Sequence, residues 1–183
     1  MFFLEYLKHP RRIGAVAPSG KQLALCMMEP IDFEKAETIV EYGPGTGAFT
    51  QELFSRKRPE TRLILIEQNP SFHKSVSQMY HGKNNTTVLL DTAERADEIL
   101  REQGLGHADY IVSGLPFTSL PDRVTQNVFA ATKSLIGSDG IFITFQYSKV
   151  KQALFESRFV IADCLRAQHN VPPAYVYVMK NKE

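Results

Sequence analysis

Tryptophan is absent from this 183-residue chain, and cysteine occurs only at Cys26 and Cys164. Two thiols far apart, in no Cys-x-x-Cys arrangement, give no disulfide framework. They read as small, reduced core residues of a cytosolic protein, so the expected compartment is the cytoplasm. The five histidines show no spacing typical of zinc ligands, and no metal is expected. No apolar run approaches the roughly 18–20 residues needed to span a bilayer. Neither sign of charge dominates: 21 Lys and Arg face 20 Asp and Glu, for a net charge of +1. That excludes a bulk basic field of the kind that gathers nucleic acid. The opening "MFFLEYLKHPRR" carries its basic residues after its apolar ones, the reverse of a secretory signal.

What is present is an ordinary globular composition, 43% hydrophobic and 22% charged, with a length that suits one domain spanning residues 1–183. Strand-like runs alternate with helical patterns. "ETIVEY", "RLILIE", "TTVLLD", "ADYIVS" and "GIFITFQY" read as strands, and the stretches between them as helices. "SGKQLALCMM" reads as a helix capped by Ser19. "NPSFHKSVSQMYHG" has Asn69 as cap, Pro70 at the first helical position and Gly82 as stop. This alternation predicts an α/β fold, a largely parallel sheet with helices on both faces. The closing runs "RFVIADCLRAQH" and "AYVYVMK" are joined across "NVPP", too short for a parallel crossover, so they are expected to pair antiparallel.

The most informative stretch is "IVEYGPGTGAF", where Gly43, Gly45 and Gly47 lie between the first strand and a helix. Glycines there allow a tight turn and close approach of backbone to a ligand. A dinucleotide fingerprint spaces its glycines GxGxxG, whereas this chain has GxGxG with Ala48 next. Glu41, just upstream, would disfavour a pyrophosphate but favour a cationic ligand. Glu67 ends the second strand about 20 residues past the glycines, where a ribose-binding acid falls. Asp91 ends the third strand. Its carboxylate could accept the exocyclic amine of an adenine, or it could cap the helix that begins at "TAERADEIL". A ligand with an adenosine and a positive charge, and no required phosphate, is S-adenosylmethionine.

"VEYGPGTGAF", "LIEQNP", "LLDTAE" and "YIVSGLPF", in that order and each at a strand end, resemble the successive motifs of class I methyltransferases. The resemblance implies a Rossmann-like, doubly wound sheet of seven strands, mostly parallel, closed by an antiparallel hairpin. It implies S-adenosylmethionine as cofactor, with Glu41 and the loop Gly43, Pro44, Gly45, Thr46 and Gly47 holding the methionine portion. Glu67 would take the ribose hydroxyls with Gln68 beside the adenine, and Asp91 and Thr92 would meet the adenine edge. The backbone carbonyl of Ser113 or Gly114 would face the sulfonium.

Two subfamilies differ in acceptor. "SGLPF" resembles the loop of rRNA adenine dimethylases, whose Asn-Leu-Pro-Phe-like sequence grips a flipped base. Pro116 and Phe117 match, with Phe117 expected as an aromatic wall, but Gly114 stands where the Asn would be. "FLEYLKHPRRIGAVAPSGKQLA", "VEYGPGTGAFT", "SGLPFTSLP" and "NVPPAYVYV" together resemble bacterial phospholipid N-methyltransferases. That family's implied reaction is stepwise methylation of phosphatidylethanolamine. An RNA adenine methyltransferase, and a cofactor-binding protein without turnover, are the alternatives.

For a lipid acceptor, residues 1–29 form a helical cap or membrane-contact segment. Phe2 and Phe3 would enter the interface, and Lys8, Arg11 and Arg12 would meet anionic headgroups, on the inner face of the membrane. The amine must lose a proton before it attacks. Tyr147, at the end of "FITFQY" and sharing a face with Phe145, is the expected headgroup contact or proton acceptor through water. Tyr175 and Tyr177 share a face of the last strand, and His169 is a lesser candidate for proton removal.

Overall fold

Apolar side chains on both sides of the central strands require cover on both faces of the sheet, and the fold supplies two helical layers. The computed structural model describes residues 18–182 other than His169 and Val171, with side chains from residue 20 onward. The expected contacts of Phe2, Phe3, Lys8, Arg11, Arg12 and His169 therefore lie outside the described residues. The strands are β1 (Thr38–Tyr42), β2 (Arg62–Glu67), β3 (Thr86–Leu90), β4 (Tyr110–Ser113), β5 (Ile141–Gln146), β6 (Phe159–Ala167) and β7 (Ala174–Asn181). The helices are α1 (Pro18–Met28), α2 (Ala48–Arg56), α3 (Pro70–Tyr80), α4 (Ala96–Glu102), α5 (Asp122–Ile136) and α6 (Gln152–Glu156).

Strand order is β3-β2-β1-β4-β5-β7-β6. The first five strands run parallel, and β7 pairs antiparallel with both β5 and β6. The fold is thus the seven-stranded, Rossmann-like architecture with an antiparallel closing hairpin. On one face, Ile39, Leu63, Leu65, Val112 and Ile143 pack under Leu23 and Met27 of α1, Leu53 of α2 and Val76 of α3. On the other, Val40, Ile64, Ile66, Ile111 and Phe142 pack under Leu100 of α4, Val128 and Phe129 of α5 and Phe155 of α6. Residues one apart on β1 serve opposite layers because strand side chains alternate.

β1 and β4 are neighbours although two strands separate them in sequence. The connections diverge here, one series running outward through β2 and β3, the other through β5. Such a switch point opens a crevice beyond the carboxyl ends of the strands, where open α/β sheets bind ligands. The loops after β1 and β4 flank it.

Three local readings change. Ser19 lies inside α1, which begins at Pro18, so it does not precede the helix. Cys26 is buried as expected, but Cys164 is exposed on the edge strand β6 and is no core residue. Tyr147 lies one residue beyond β5, which ends at Gln146.

Candidate active site

The glycine loop is built from left-handed backbone. Gly43, Gly45 and Gly47 have φ of 65°, 57° and 86°, a region that side chains with a Cβ rarely enter. The loop is tied down at both ends: Gly43 N–H donates to the Ile66 carbonyl at 2.9 Å, and Gly47 N–H to the Pro44 carbonyl at 2.9 Å. The β4 loop meets it directly. Gly114 N–H donates to the Tyr42 carbonyl at 2.9 Å. A Cβ on Gly114 would lie 2.9 Å from the Gly43 carbonyl oxygen. Gly114 is therefore required by the approach of the two loops, whatever its role toward an acceptor.

Glu67 is 4% exposed and holds two backbone amides. Its Oε2 accepts from Gly45 N–H at 2.9 Å and its Oε1 from Asn69 N–H at 2.8 Å. One carboxylate thus pins the glycine loop to the end of β2 and the start of α3. Each oxygen can accept a further bond, so ribose hydroxyls can still be received. Asn69 in turn caps α3, accepting from Ser71 N–H and Phe72 N–H as its sequence position predicts. Gln68 is exposed beside it.

Glu41 is fully buried beneath the loop. Its Oε2 accepts from the Thr50 hydroxyl at 2.7 Å, while Oε1 has no partner among the described residues. Burial pushes its carboxyl up to about 8, with the nearby Glu67 charge adding to the rise and the Thr50 bond opposing it. An uncompensated buried acceptor is costly unless something completes it.

At the β3 end, Thr92 caps the 3-10 turn Ala93–Arg95 by accepting from Glu94 N–H. Asp91 does not cap that turn. Its Oδ1 accepts from Thr92 N–H at 2.8 Å and its Oδ2 pairs with Arg95 at 2.7 Å. The pair is partly exposed and leaves Asp91 less free toward an amine than its strand-end position suggested.

Ser113 is buried, and its carbonyl is engaged inside the sheet by the Thr144 hydroxyl at 3.3 Å. Of the two carbonyls considered, Ser113's is thus already engaged. Phe117 is not an open wall: it is fully buried, its ring 5.2 Å from Phe129 and 5.6 Å from Phe155. It anchors the loop in the core. Tyr177 is likewise buried, against Phe155.

Phe49 joins Phe145 and Tyr147, which the sequence already placed on one face, in an aromatic row. The Phe49 ring lies 3.8 Å from where a Gly114 Cβ would sit. Phe49 stands edge-on to Phe145 at 5.7 Å, and Phe145 edge-on to Tyr147 at 5.5 Å. Tyr147 is 43% exposed at the outer end. Phe49 lies on α2, and its ring contact with Phe145 of β5 gives it this setting. The Gln146 amide is buried too, its Nε2 without a partner among the described residues. Nothing in the sequence around it marks it out.

No family model matches the chain. Over 179 residues it is 30% identical to the ornithine lipid N-methyltransferase of Singulisphaera acidiphila, a match covering 97% of this chain and 93% of that protein. The chain belongs to the family of that enzyme. It is an S-adenosylmethionine-dependent N-methyltransferase. A shorter match, 30% identical over 91 residues, links it to ribosomal RNA small subunit methyltransferase A of a Hydrogenobaculum species, covering 50% of this chain and 34% of that one. In fold it is similar to the Burkholderia thailandensis 1,6-didemethyltoxoflavin-N1-methyltransferase, solved with S-adenosylhomocysteine bound (TM-score 0.72, 11% identity, covering all of this chain and 86% of that one).

The residues present fit S-adenosylmethionine. The left-handed glycines leave a cradle without Cβ atoms, and the unpaired Glu41 oxygen below it suits a cation rather than a phosphate. Among the described residues no group of three His, Cys, Asp or Glu could hold a metal ion, and no helix is long and apolar enough to cross a membrane.

Proposed function

We propose that this N-methyltransferase acts on the primary amine of a membrane-lipid headgroup. The observation that carries the reading is the match to a lipid N-methyltransferase along nearly the whole chain. The relative's substrate favours an ornithine lipid. Phosphatidylethanolamine, toward which the motifs point, presents the same primary amine. The nucleic-acid reading has support over only half the chain.

The site's chemistry is compatible with that acceptor. S-adenosylmethionine, when bound, supplies an electrophilic methyl group, so the protein contributes position and electrostatics. In the proposed arrangement, Glu67 receives the ribose, with Gln68, Asp91 and Thr92 about the adenine. Glu41 and the Gly43–Gly47 loop, including Pro44 and Thr46, hold the methionine portion. Gly114 offers its carbonyl at the reacting centre. An alkyl amine is largely protonated at neutral pH, as a lysine is with its pKa near ~10.4. In this reading Tyr147, at the open end of the aromatic row, hydrogen-bonds the water that takes up that proton and passes it to solvent. The quaternary ammonium of a fully methylated product is attracted to an aromatic face by about 0.5–2 kcal/mol. Phe49 would supply such a face beside Gly114, with Tyr147 at the outer end of the row.

The deciding assay supplies radiolabelled cofactor together with vesicles of ornithine lipid, vesicles of phosphatidylethanolamine, or small-subunit rRNA. Label is expected in an amine-bearing lipid. Label in the RNA alone, or in neither lipid, would overturn the proposal. The cofactor assignment has its own check. Glu67→Ala is expected to weaken cofactor binding in calorimetry by at least about a hundredfold, since it loses both the ribose acceptor and charge-assisted bonds each worth roughly 1.5–3 kcal/mol. Asp91→Ala should cost only a few-fold, because Arg95 already occupies that carboxylate. Wild-type affinity in Glu67→Ala would refute the ribose role.

A further inference from the structure

Between β5 and α6 the chain crosses the rim that also carries the glycine loop and the Gly114 loop. There it reads Tyr147-Ser148-Lys149-Val150-Lys151. Val150 is 80% exposed, whereas the other exposed large apolar side chains among the described residues reach at most 52%. A β-branched apolar side chain held this far into water contributes nothing to the core. A lysine stands on each side of it. Lys149 lies over the Tyr175 ring, 5.1 Å from its centroid. Lys151 is 3.8 Å from a carboxylate oxygen of Asp122, itself 91% exposed. The Lys151 side chain is 26% exposed, and its pair with so open a carboxylate is worth little, while Lys149 is exposed.

A lipid amine adds a geometric demand. Its acyl chains remain in the bilayer, so the headgroup can reach Gly114 only if the rim around Gly114 lies against the membrane. The β5–α6 loop leaves β5 directly after the aromatic row, with Tyr147 belonging to both. Whatever surface presents the amine to that row must come close to Val150 as well.

We propose that the loop 147–151 is a membrane-docking tip, with Val150 entering the interface of an anionic bilayer and Lys149 and Lys151 meeting lipid phosphates on either side of it. This rests on the lipid-acceptor reading above. An apolar tip flanked by cations is the arrangement that combines buried apolar area with attraction to anionic lipid. Tyr147, at the base of the tip, then sits at headgroup level, where aromatic side chains with a polar end are favoured. The tip orients the enzyme as well as holding it, since it places the row Phe49, Phe145 and Tyr147 facing the headgroups.

The test uses the full chain, as wild type, Val150→Asp and the double variant Lys149→Glu/Lys151→Glu. Binding is read by flotation with vesicles of phosphatidylglycerol and phosphatidylethanolamine. Methylation is read on the same vesicles and on a short-chain phosphatidylethanolamine kept monomeric in solution. Each lysine near an anionic surface corresponds to about a fivefold change in binding. The double variant should therefore bind these vesicles at least about twentyfold more weakly, and added salt should erase most of that difference. Val150→Asp should lose about tenfold in binding with less salt dependence. Methylation on vesicles should fall in step, while turnover of the monomeric lipid stays at the wild-type rate. Vesicle binding equal to wild type in both variants would overturn the proposal, as would failure of the wild type to bind at all. An equal loss on the monomeric lipid would also overturn it, because the loop would then act in the site. If the wild type floats through this tip yet methylates no lipid, the docking surface stands and the substrate reading falls.

Discussion

Replacing Glu41 by glutamine is expected to remove the pH dependence of cofactor binding and to weaken it by on the order of tenfold to a hundredfold at pH 8. Glu41 is fully buried, bonded on one oxygen to Thr50 and unpartnered among the described residues on the other. With its carboxyl pushed up to about 8, it holds a proton at pH 7 while the site is empty. A cation placed beside it favours the charged form, so binding must expel that proton. Below about pH 8, affinity should rise with pH by up to tenfold per unit, and level off above. Tyr80, which feels the Glu41 charge, and Glu67 are the titratable neighbours, and the Glu67 charge acts in the same direction as burial.

Calorimetry with S-adenosylhomocysteine, whose ammonium group is the cation at neutral pH, checks this in two buffers of different ionisation enthalpy. Proton release near one per site at pH 6.5–7 is the expected result for the wild type, and none for Glu41→Gln. Absence of proton release in the wild type would sink the argument. Stability without cofactor supplies the sign check. A folded-state pKa above the unfolded value means that the folded protein binds the extra proton. The contribution is complete below about pH 4.5, falls as pH rises toward about 8 and is flat beyond. The glutamine variant should lose that slope.

Gly114→Asn should reduce cofactor affinity and turnover by about a hundredfold or more, with a loss of stability of about 1–3 kcal/mol from overpacking. The new Cβ would sit 2.9 Å from the Gly43 carbonyl oxygen and 3.6 Å from that of Tyr42. Both are backbone atoms and cannot rotate away. Gly43 is itself held by its bond to Ile66 and by left-handed backbone, so relief of the clash must displace the glycine loop or the β4 loop. Either shift separates the groups that must share one ligand, and a displacement of about 1 Å can cost a hundredfold in rate. Gly114→Ala should reproduce most of the loss, since the Cβ alone causes it. Near-normal affinity in the alanine variant would show that the loops are free to part. The outcome also bears on acceptor choice. The chain's departure from an Asn-Leu-Pro-Phe sequence has a local steric cause, so the missing Asn is weaker evidence against a nucleobase than it looked in the sequence.

By itself, the sequence determined whatever depends on neighbours along the chain. Three alternate glycines specified a left-handed loop because backbone without Cβ atoms enters that region at little cost. Asn69 and Pro70 specified the start of α3, since a cap needs only the amides two and three residues on. Alternating apolar runs specified a sheet covered on both faces, and the short "NVPP" connection an antiparallel end. The tertiary structure decided what depends on which strands become neighbours. Setting β1 beside β4 brings Gly43 against Gly114, and inserting β7 between β5 and β6 follows from packing that no local spacing encodes. Burial gave Phe117 to the core. Long-range contact of Phe49 with Phe145 joined Phe49, Phe145 and Tyr147 into one row. The two carboxylates show the division most plainly. Their positions at strand ends were legible, but their states were not. Both oxygens of Glu67 are taken up by amides from separate loops, whereas Glu41 lies buried with one acceptor unfilled among the described residues. That difference arises from long-range desolvation and hydrogen bonding, which only the folded chain creates.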